Sequence, residues 1–168
     1  LVDILTVGRF VSLIYLLKLK MSITLKNKKI IISAGGSGIG WSSAKIFLDK
    51  GATVYLCDIN STFLNKCKKH KLNNKKLFVF RCDASDENQV KNFFSKIIKK
   101  TKKIDALINN VGIAGPTGTL EKLKSKDWEN TLKVNVISHF YFSKYSIPML
   151  KKNKGGAIIN LSSTAGIF

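Results

Sequence analysis

The stretch from Lys29 to Asp58 constrains the fold of this 168-residue chain more than any other part of the sequence. A short apolar run begins at Lys29 and leads directly into a turn of small residues, SAGGSGIG, at Ser33–Gly40. A helix-favouring segment follows and stops at Gly51, and a second apolar run ends at Asp58. A strand, a glycine-rich turn, a helix and a second strand in this order predict a βαβ unit with parallel strands.

The turn in this unit has the residues needed to approach a phosphate. Ala34, Gly36 and Gly38 permit a tight turn with accessible N–H groups, and Gly40 lets the next helix pack closely on the strand. The N-terminus of that helix favours an anionic ligand. Asp58 stands where a carboxylate can accept hydrogen bonds from an adenosine ribose. A glycine-rich turn alone fits any tight turn, but the complete ordered set favours dinucleotide binding.

Strands and helices continue to alternate along the rest of the chain. Strands are predicted at Ile30–Ser33, Thr53–Asp58, Leu77–Cys82, Ile104–Asn109 and Ala157–Leu161. One helix is predicted at Trp41–Lys50. A second is predicted to be capped by Ser85 and has an apolar stripe from Val90 to Ile98. A third is predicted at Trp128–Met149, with a break near Asn135 and an end around Pro148. This alternation predicts a three-layer α/β fold with a doubly wound parallel sheet, whose ligands bind at the carboxyl ends of the strands.

The charge of the chain is unusual, because 29 Lys and Arg oppose only 10 Asp and Glu, a formal net charge of +19. Nearly all of the cations are lysines, scattered in short clusters around apolar helix stripes. Such a charge suits a nucleic-acid or anionic-membrane partner, or simply a lysine-rich composition on solvated faces. Arginine, the usual reader of bases, is scarce, so we favour the second interpretation and expect no specific nucleic-acid or membrane partner.

The cysteines and the first twenty residues add little to the functional prediction. Cys57, Cys67 and Cys82 have no metal-ligand spacing, so we expect no metal site and a reducing, cytoplasmic location. His70 and His139 stand alone and are expected to have no chemical role. Residues 1–20 carry only an eight-residue apolar patch, too short to span a bilayer, and we expect them to be a non-native or upstream extension of a domain at 21–168.

Five motifs, in order, resemble the short-chain dehydrogenase/reductase family, a Rossmann-like fold. Ser33–Gly40 resembles its TGxxxGxG turn, and Cys82-Asp83 resembles the position whose Asp holds the adenine amino group. The motifs NNVG at Asn109–Gly112, DWENTLKVNV at Asp127–Val136 and GGAIINLSSTAG at Gly155–Gly166 resemble three further family segments. The resemblance implies a cofactor site for NAD, because Asp58 matches the acid that favours NAD over NADP. It assigns these cofactor-binding residues: Ser33, Ala34, Gly36, Ser37, Gly38, Ile39, Gly40, Asp58, Ile59, Asp83, Ala84, Asn110, Val111, Gly112 and Ser162.

The same resemblance implies hydride transfer between nicotinamide and an alcohol or ketone of the 3-oxoacyl, sugar or small secondary-alcohol class. Ser163 would hydrogen-bond the substrate oxygen, and Asn135 would kink its helix and hold a water. The family's acid/base pair, Tyr-x-x-x-Lys, is absent, since none of the four tyrosines has Lys four residues later. We therefore expect a fragment that lacks the C-terminal strands and is inactive alone, from a homo-oligomeric enzyme (a tetramer or dimer).

Two other functions fit parts of the sequence. A non-catalytic NAD(H)-binding module would use the same turn and Asp58 without the acid/base pair. A basic nucleic-acid-binding protein would rest on the net charge alone and would bind unrelated nucleic acids with a steep salt dependence.

Overall fold

The computed structural model describes residues 24–70 and 75–163. The expectation of an extension at residues 1–20 therefore lies outside the described residues, as does the end of the last motif from residue 164 onward. Within the described residues, no helix is both long and apolar enough to cross a membrane.

The described chain contains five strands, five α-helices, a 3₁₀ turn and a π-helical segment. The strands are β1 Lys29–Ile32, β2 Thr53–Asp58, β3 Leu77–Arg81, β4 Ala106–Asn109 and β5 Ala157–Asn160. The helices are α1 Gly38–Asp49, α2 Ser61–Lys69, α3 Glu87–Ile98, α4 Ser125–Leu132 and α5 Ser138–Lys151. The 3₁₀ turn is Leu120–Lys122, and the π-helical segment Lys133–Ile137 joins α4 to α5.

The five strands form one parallel sheet in the order β3-β2-β1-β4-β5. The chain moves from β1 outward to β3, then crosses to the other side of β1 to continue with β4 and β5. Adjacent loops therefore leave β1 and β4 in opposite directions and open a crevice at their carboxyl ends. The doubly wound Rossmann-like sheet predicted from the sequence is confirmed.

Helices cover the sheet on both faces, because the central strands are apolar on both sides. Ile31 lies in a buried cluster with residues of α3 and α5, while its neighbours Ile30 and Ile32 lie in a second cluster with residues of α1 and α2. This alternation follows from the period of two in a strand. The result is the predicted three-layer arrangement, with β1 held at its centre.

Two local predictions were wrong. Ser85 does not cap α3; its hydroxyl donates to Asp83, and the cap is Asp86, whose carboxylate accepts the N–H groups of Asn88 and Gln89. Both residue types are good caps, and the tertiary position of the loop decides between them. Pro148 does not end its helix either, because α5 continues to Lys151 with the proline inside its last turn. The helix α2 was not predicted from the sequence.

The break predicted near Asn135 is confirmed as the π-helical segment Lys133–Ile137 between α4 and α5. A π-segment inserts one extra residue into a helix and commonly marks a functional position. Asn135 lies at its centre and turns its side chain toward the loop after β4. The π-helical segment thus directs the Asn135 side-chain amide toward the loop after β4.

Candidate functional site

A cleft of about 690 Å³ opens at the crevice between the loops that follow β1 and β4. Its walls are formed by the end of β2 and the segments that follow β1, β2, β3 and β4, together with residues of α4 and of the π-helical segment. The lining residues are Ala34, Ser37, Gly38, Ile39, Asp58, Ile59, Cys82, Asp83, Ala84, Ser85, Asn110, Val111, Gly112, Ile113, Asn130 and Val134. Eleven of the residues predicted from the sequence to bind a cofactor are therefore brought together in one place.

The turn after β1 keeps its small residues where space is limiting. A side chain at Gly40 would place Cβ 2.5 Å from Asn110 Nδ2 and 2.6 Å from the Ala34 carbonyl oxygen. Gly38 has φ +51°, and a Cβ added to it would meet nothing within 4 Å, so its backbone borders open space in the cleft. The turn thus combines close internal packing with an exposed backbone surface at the N-terminus of α1, the arrangement that accepts phosphate groups.

Asp58 is fixed by backbone donors at the tip of β2. Its Oδ2 accepts the N–H of Gly36 at 3.0 Å, and its Oδ1 accepts the N–H of Asn60 at 2.9 Å. The residue is 8% exposed and lines the cleft. Each carboxylate oxygen has a further lone pair, so the group can still accept hydrogen bonds from a ligand. Gly36 lies beneath it, since a Cβ there would approach Asp58 Oδ2 to 2.8 Å.

A buried thiol supports the same turn from the side of α2. Cys67 Sγ donates to the carbonyl oxygen of Gly36 at 3.4 Å. Burial, reinforced by the nearby Asp58 carboxylate, raises the pKa of Cys67 to about 11, so the thiol keeps its proton at neutral pH. The Gly36 peptide is thereby held at both ends, by a thiol on its carbonyl and by Asp58 on its N–H. No pattern in the sequence indicated this contact.

Ser33 and Asn110 tie the turn to the loop after β4. Ser33 is fully buried, and its hydroxyl oxygen accepts the N–H of Asn110 at 3.0 Å. Asn110 returns its side-chain amide to the carbonyl oxygens of Ser33 and Ala34, at 3.2 and 2.8 Å. Ser33, Gly36 and Gly40, three of the predicted cofactor-binding residues, therefore lie behind the cleft surface and shape it.

Asp83 closes the opposite end of the cleft, after β3. Its Oδ1 accepts both the N–H and the hydroxyl of Ser85, at 2.9 and 2.8 Å, and its own N–H donates to Gln89 at 3.1 Å. Cys82 and Ala84 flank it in the wall. This wall presents apolar surface beside one carboxylate, which suits the flat face and amino group of an adenine.

The loop after β4 is held by two side chains from the interrupted helix. Asn135 accepts the N–H of Ile113 at 2.8 Å and donates to its carbonyl oxygen at 2.9 Å. One turn later, His139 Nε2 lies 3.0 Å from the Val111 carbonyl oxygen. A carbonyl can only accept, so Nε2 carries the proton in this contact. His139 was expected to have no role; the structure places it directly behind a residue of the cleft wall.

Replacing His139 with leucine is expected to lower stability by about 1 kcal/mol, because the Val111 carbonyl loses its donor. Glutamine carries an amide N–H near the position of Nε2, so His139→Gln is the matched control and should restore most of the lost stability. Thermal unfolding of the two variants checks this. Equal losses in both variants would show that ring packing, and not the hydrogen bond, holds the loop.

The remaining predicted residues lie outside the cleft lining. Ser162 and Ser163 follow β5 and are both exposed. None of the tyrosines in the described residues lines the cleft either. Tyr55 is buried in the core, and Tyr145 donates to Glu87 at 3.1 Å on the outer surface of the helices. Within the described residues, no cluster of His, Cys, Asp or Glu is arranged to hold a metal ion.

The residues that form the cleft also match a known protein family. Residues 28–168 match the profile of the short chain dehydrogenase family, which covers the sheet, the cleft and the interrupted helix. The chain belongs to the short-chain dehydrogenase family. Members of this family are oxidoreductases that use nicotinamide cofactors, and the cleft lies where the Rossmann fold binds a dinucleotide.

Short-chain dehydrogenases of known activity resemble the chain over most of its length. It is 31% identical over 145 residues to the 3-oxoacyl-[acyl-carrier-protein] reductase FabG of Thermotoga maritima, a match that covers 86% of this chain and 58% of that protein. It is 30% identical over 150 residues to the 15-hydroxyprostaglandin dehydrogenase [NAD(+)] of Homo sapiens, with 86% of this chain and 53% of that protein covered.

A solved structure gives the same result for the fold. A 7α-hydroxysteroid dehydrogenase in complex with NADH and 7-oxo glycochenodeoxycholic acid superimposes with a TM-score of 0.79 at 32% identity. The match covers 86% of this chain and 56% of that one. The chain thus spans between 53% and 58% of the length of these relatives.

Proposed function

We propose that this chain forms the NAD-binding part of an oxidoreductase that transfers a hydride between nicotinamide and an alcohol or ketone. The observation that carries the proposal is the Asp58 carboxylate, fixed at the tip of β2 by two backbone N–H groups and open to the cleft. A carboxylate there can accept the hydroxyls of an adenosine ribose, and it would repel a 2′-phosphate. NAD is therefore the preferred cofactor in this proposal.

The residues of the cleft fit such a cofactor along its length. Asp83 with the apolar wall of Cys82 and Ala84 suits an adenine, and Asp58 suits its ribose. The exposed backbone around Gly38, at the N-terminus of α1, suits the pyrophosphate. Val111, Gly112 and Ile113 then form the wall toward the reacting end. In bound form, the nicotinamide would supply or accept the hydride.

The protein's own groups would orient the substrate and the loop around it. Ser163, exposed just beyond β5, is proposed to donate a hydrogen bond to the substrate oxygen. Asn135 is proposed to act as a positioning residue, because its side chain holds both backbone groups of Ile113 in the cleft wall. Tyr55, Tyr141 and Tyr145 receive no proton-transfer role, since none of them lines the cleft.

The substrate in this proposed reaction would be a 3-oxoacyl thioester, a sugar or a small secondary alcohol. Two of the relatives are named as a 3-oxoacyl-[acyl-carrier-protein] reductase and a 15-hydroxyprostaglandin dehydrogenase. The first name specifies an oxo group and the second a hydroxyl group. This supports reaction at a secondary alcohol or ketone carbon.

Replacing Asp58 with asparagine tests the cofactor assignment. NADH affinity is expected to fall by about tenfold or more, because a charge-assisted acceptor becomes a neutral amide. NADPH affinity is expected to change little or to rise, since the repulsion of its 2′-phosphate is removed. Titration of both cofactors with the wild-type chain and the variant measures the ratio of the two dissociation constants.

The matched control is Asp49→Asn, which removes the same charge from an exposed position on α1 remote from the cleft. It should leave the ratio unchanged. An equal loss of both cofactors in Asp58→Asn would mean that the residue only shapes the turn through Gly36. Failure of the wild-type chain to bind either cofactor would overturn the proposed function itself.

A further inference from the structure

The sheet edge opposite the cleft carries a dense group of exposed lysines. These residues, called the lysine edge here, precede the strands or follow the helices that lead into them. They are Lys26, Lys28, Lys50, Lys75, Lys99, Lys100, Lys102, Lys103, Lys151, Lys152 and Lys154. All are exposed, and they come from five separate segments of the chain.

Hydrogen bonds show that these segments meet at one edge. The N–H of Leu25 donates to the Lys50 carbonyl oxygen at 2.8 Å, which joins the entry to β1 with the end of α1. Lys76 Nζ donates to the Gly51 carbonyl oxygen at 3.1 Å, which joins the segment before β3 to the end of α1. The Asp105 carboxylate, just before β4, accepts from Lys28 at 2.9 Å and from Asn153 at 3.0 Å, which joins the segments before β1, β4 and β5.

The acidic residues lie elsewhere. Among those in the described residues, only Asp49 and Asp105 belong to this edge, and Asp105 is already paired with Lys28. The others end strands, follow them, or lie in the first two turns of the helices near the cleft: Asp58, Asp83, Asp86, Glu87, Glu121, Asp127 and Glu129. The protein therefore has a basic end and a more acidic end.

Helix dipoles explain only part of this asymmetry. A cation near the last turn of a helix is stabilised by the dipole, which accounts for lysines such as Lys50 and Lys151. Lys26, Lys28 and Lys75 precede strands, and Lys102 and Lys103 lie beyond the end of α3. A lysine-rich composition alone would not separate cations from anions between the two ends of the sheet.

We propose that the lysine edge docks the protein on an anionic lipid surface. Its ammonium groups would contact phosphate and carboxylate headgroups, each contributing about 1 kcal/mol when close to the membrane. This contact lies at the surface of a bilayer and involves no spanning helix. It differs from the sequence-based expectation of no membrane partner, and it is independent of the proposed oxidoreductase function.

The distribution of the lysines favours a plane of charge over a nucleic-acid strand. They extend along the sheet from β3 to β5, on loops of both helical layers. The edge contains no arginine, and its aromatic Phe78 is partly buried, with Lys100 Nζ 4.7 Å from its ring centroid. Nucleic-acid sites commonly use arginine and exposed stacking rings.

The lysine edge lies at the end of the strands opposite the cleft. Docking by this edge would therefore leave the cleft facing solution.

Vesicle flotation with the full 168-residue chain tests the proposal. Vesicles of phosphatidylcholine with phosphatidylserine are compared with phosphatidylcholine alone, at about 0.1 M salt, where the Debye length is about 10 Å. The protein should float only with the anionic vesicles, and raised salt should release it. Flotation separates bound protein from aggregates, because aggregates sink.

Two triple variants with equal charge changes locate the contact. Lys151, Lys152 and Lys154 changed to Gln should lower partitioning by roughly 100-fold, from about 1 kcal/mol per lysine. Lys122, Lys124 and Lys126, near the other end, changed to Gln should lower it by less than about tenfold. Equal losses of vesicle partitioning in the two triple variants would mean that net charge alone drives binding. Tighter binding to duplex DNA than to the anionic vesicles would mean that the lysine edge is a nucleic-acid surface. Either result, or no flotation of the wild-type chain, overturns the proposal, whereas NADH titration reports on the cleft separately.

Discussion

Replacing Gly40 with alanine is expected to lower NADH affinity by about tenfold or more and to destabilise the domain by about 1–3 kcal/mol. A Cβ at this position would lie 2.5 Å from Asn110 Nδ2, 2.6 Å from the Ala34 carbonyl oxygen and 3.0 Å from Gly35 Cα. Two of these three neighbours are backbone atoms, so relief requires movement of the turn itself. The affected turn forms the proposed pyrophosphate site, and Asn110 ties it to the loop after β4.

Gly112→Ala is the matched control for the predicted loss of stability. The nearest atom to a Cβ there is Asn135 Oδ1 at 3.7 Å, an ordinary van der Waals distance. Its free energy of unfolding should remain within about 0.5 kcal/mol of the wild-type value. Thermal unfolding of both variants, and NADH titration of Gly40→Ala against the wild-type chain, provide the comparison. Wild-type behaviour of Gly40→Ala would mean that α1 can withdraw from the turn, contrary to the close packing described above.

Replacing Phe142 with alanine is expected to cost about 3–5 kcal/mol of stability, the range for a large aromatic removed from a core. Phe142 is fully buried on α5, and its ring centroid lies 5.7 and 5.6 Å from those of Phe93 and Phe94 on α3. It therefore joins two helices over one face of the sheet. For a domain of this size, such a loss is a large fraction of the total stability.

Phe140 provides the control, since it lies two residues earlier on the same helix and is 57% exposed. Phe140→Ala removes the same side chain from a surface position and should change stability by no more than about 0.5 kcal/mol. Chemical denaturation of the two variants measures the difference. Similar losses would contradict the packing of α5 against α3, because burial is the property that distinguishes the two phenylalanines.

Much of the cleft could be predicted from local sequence. The small residues after β1 permit a turn that a Cβ would block, and Asp58 follows an apolar strand directly, so both features depend on near neighbours in the chain. The helix break near Asn135 was predicted in the same way, from a polar residue that interrupts an apolar pattern. The order of the strands, β3-β2-β1-β4-β5, was not predicted, because single-sequence periodicity does not determine it.

The βαβ unit, the position of its glycine-rich turn and the acid at the tip of β2 could thus be predicted from the amino-acid order alone. The groups that hold that site in place became visible only in the folded chain, such as Cys67 behind Gly36 and His139 behind Val111. The same is true of the choice of Asp86 over Ser85 as the cap of α3, and of the meeting of scattered lysines at one edge. Turn geometry depends on residues adjacent in the chain. The contacts of Cys67, His139 and the lysines join residues far apart in sequence, and the cap of α3 is selected between two equally suitable neighbours by the tertiary position of the loop.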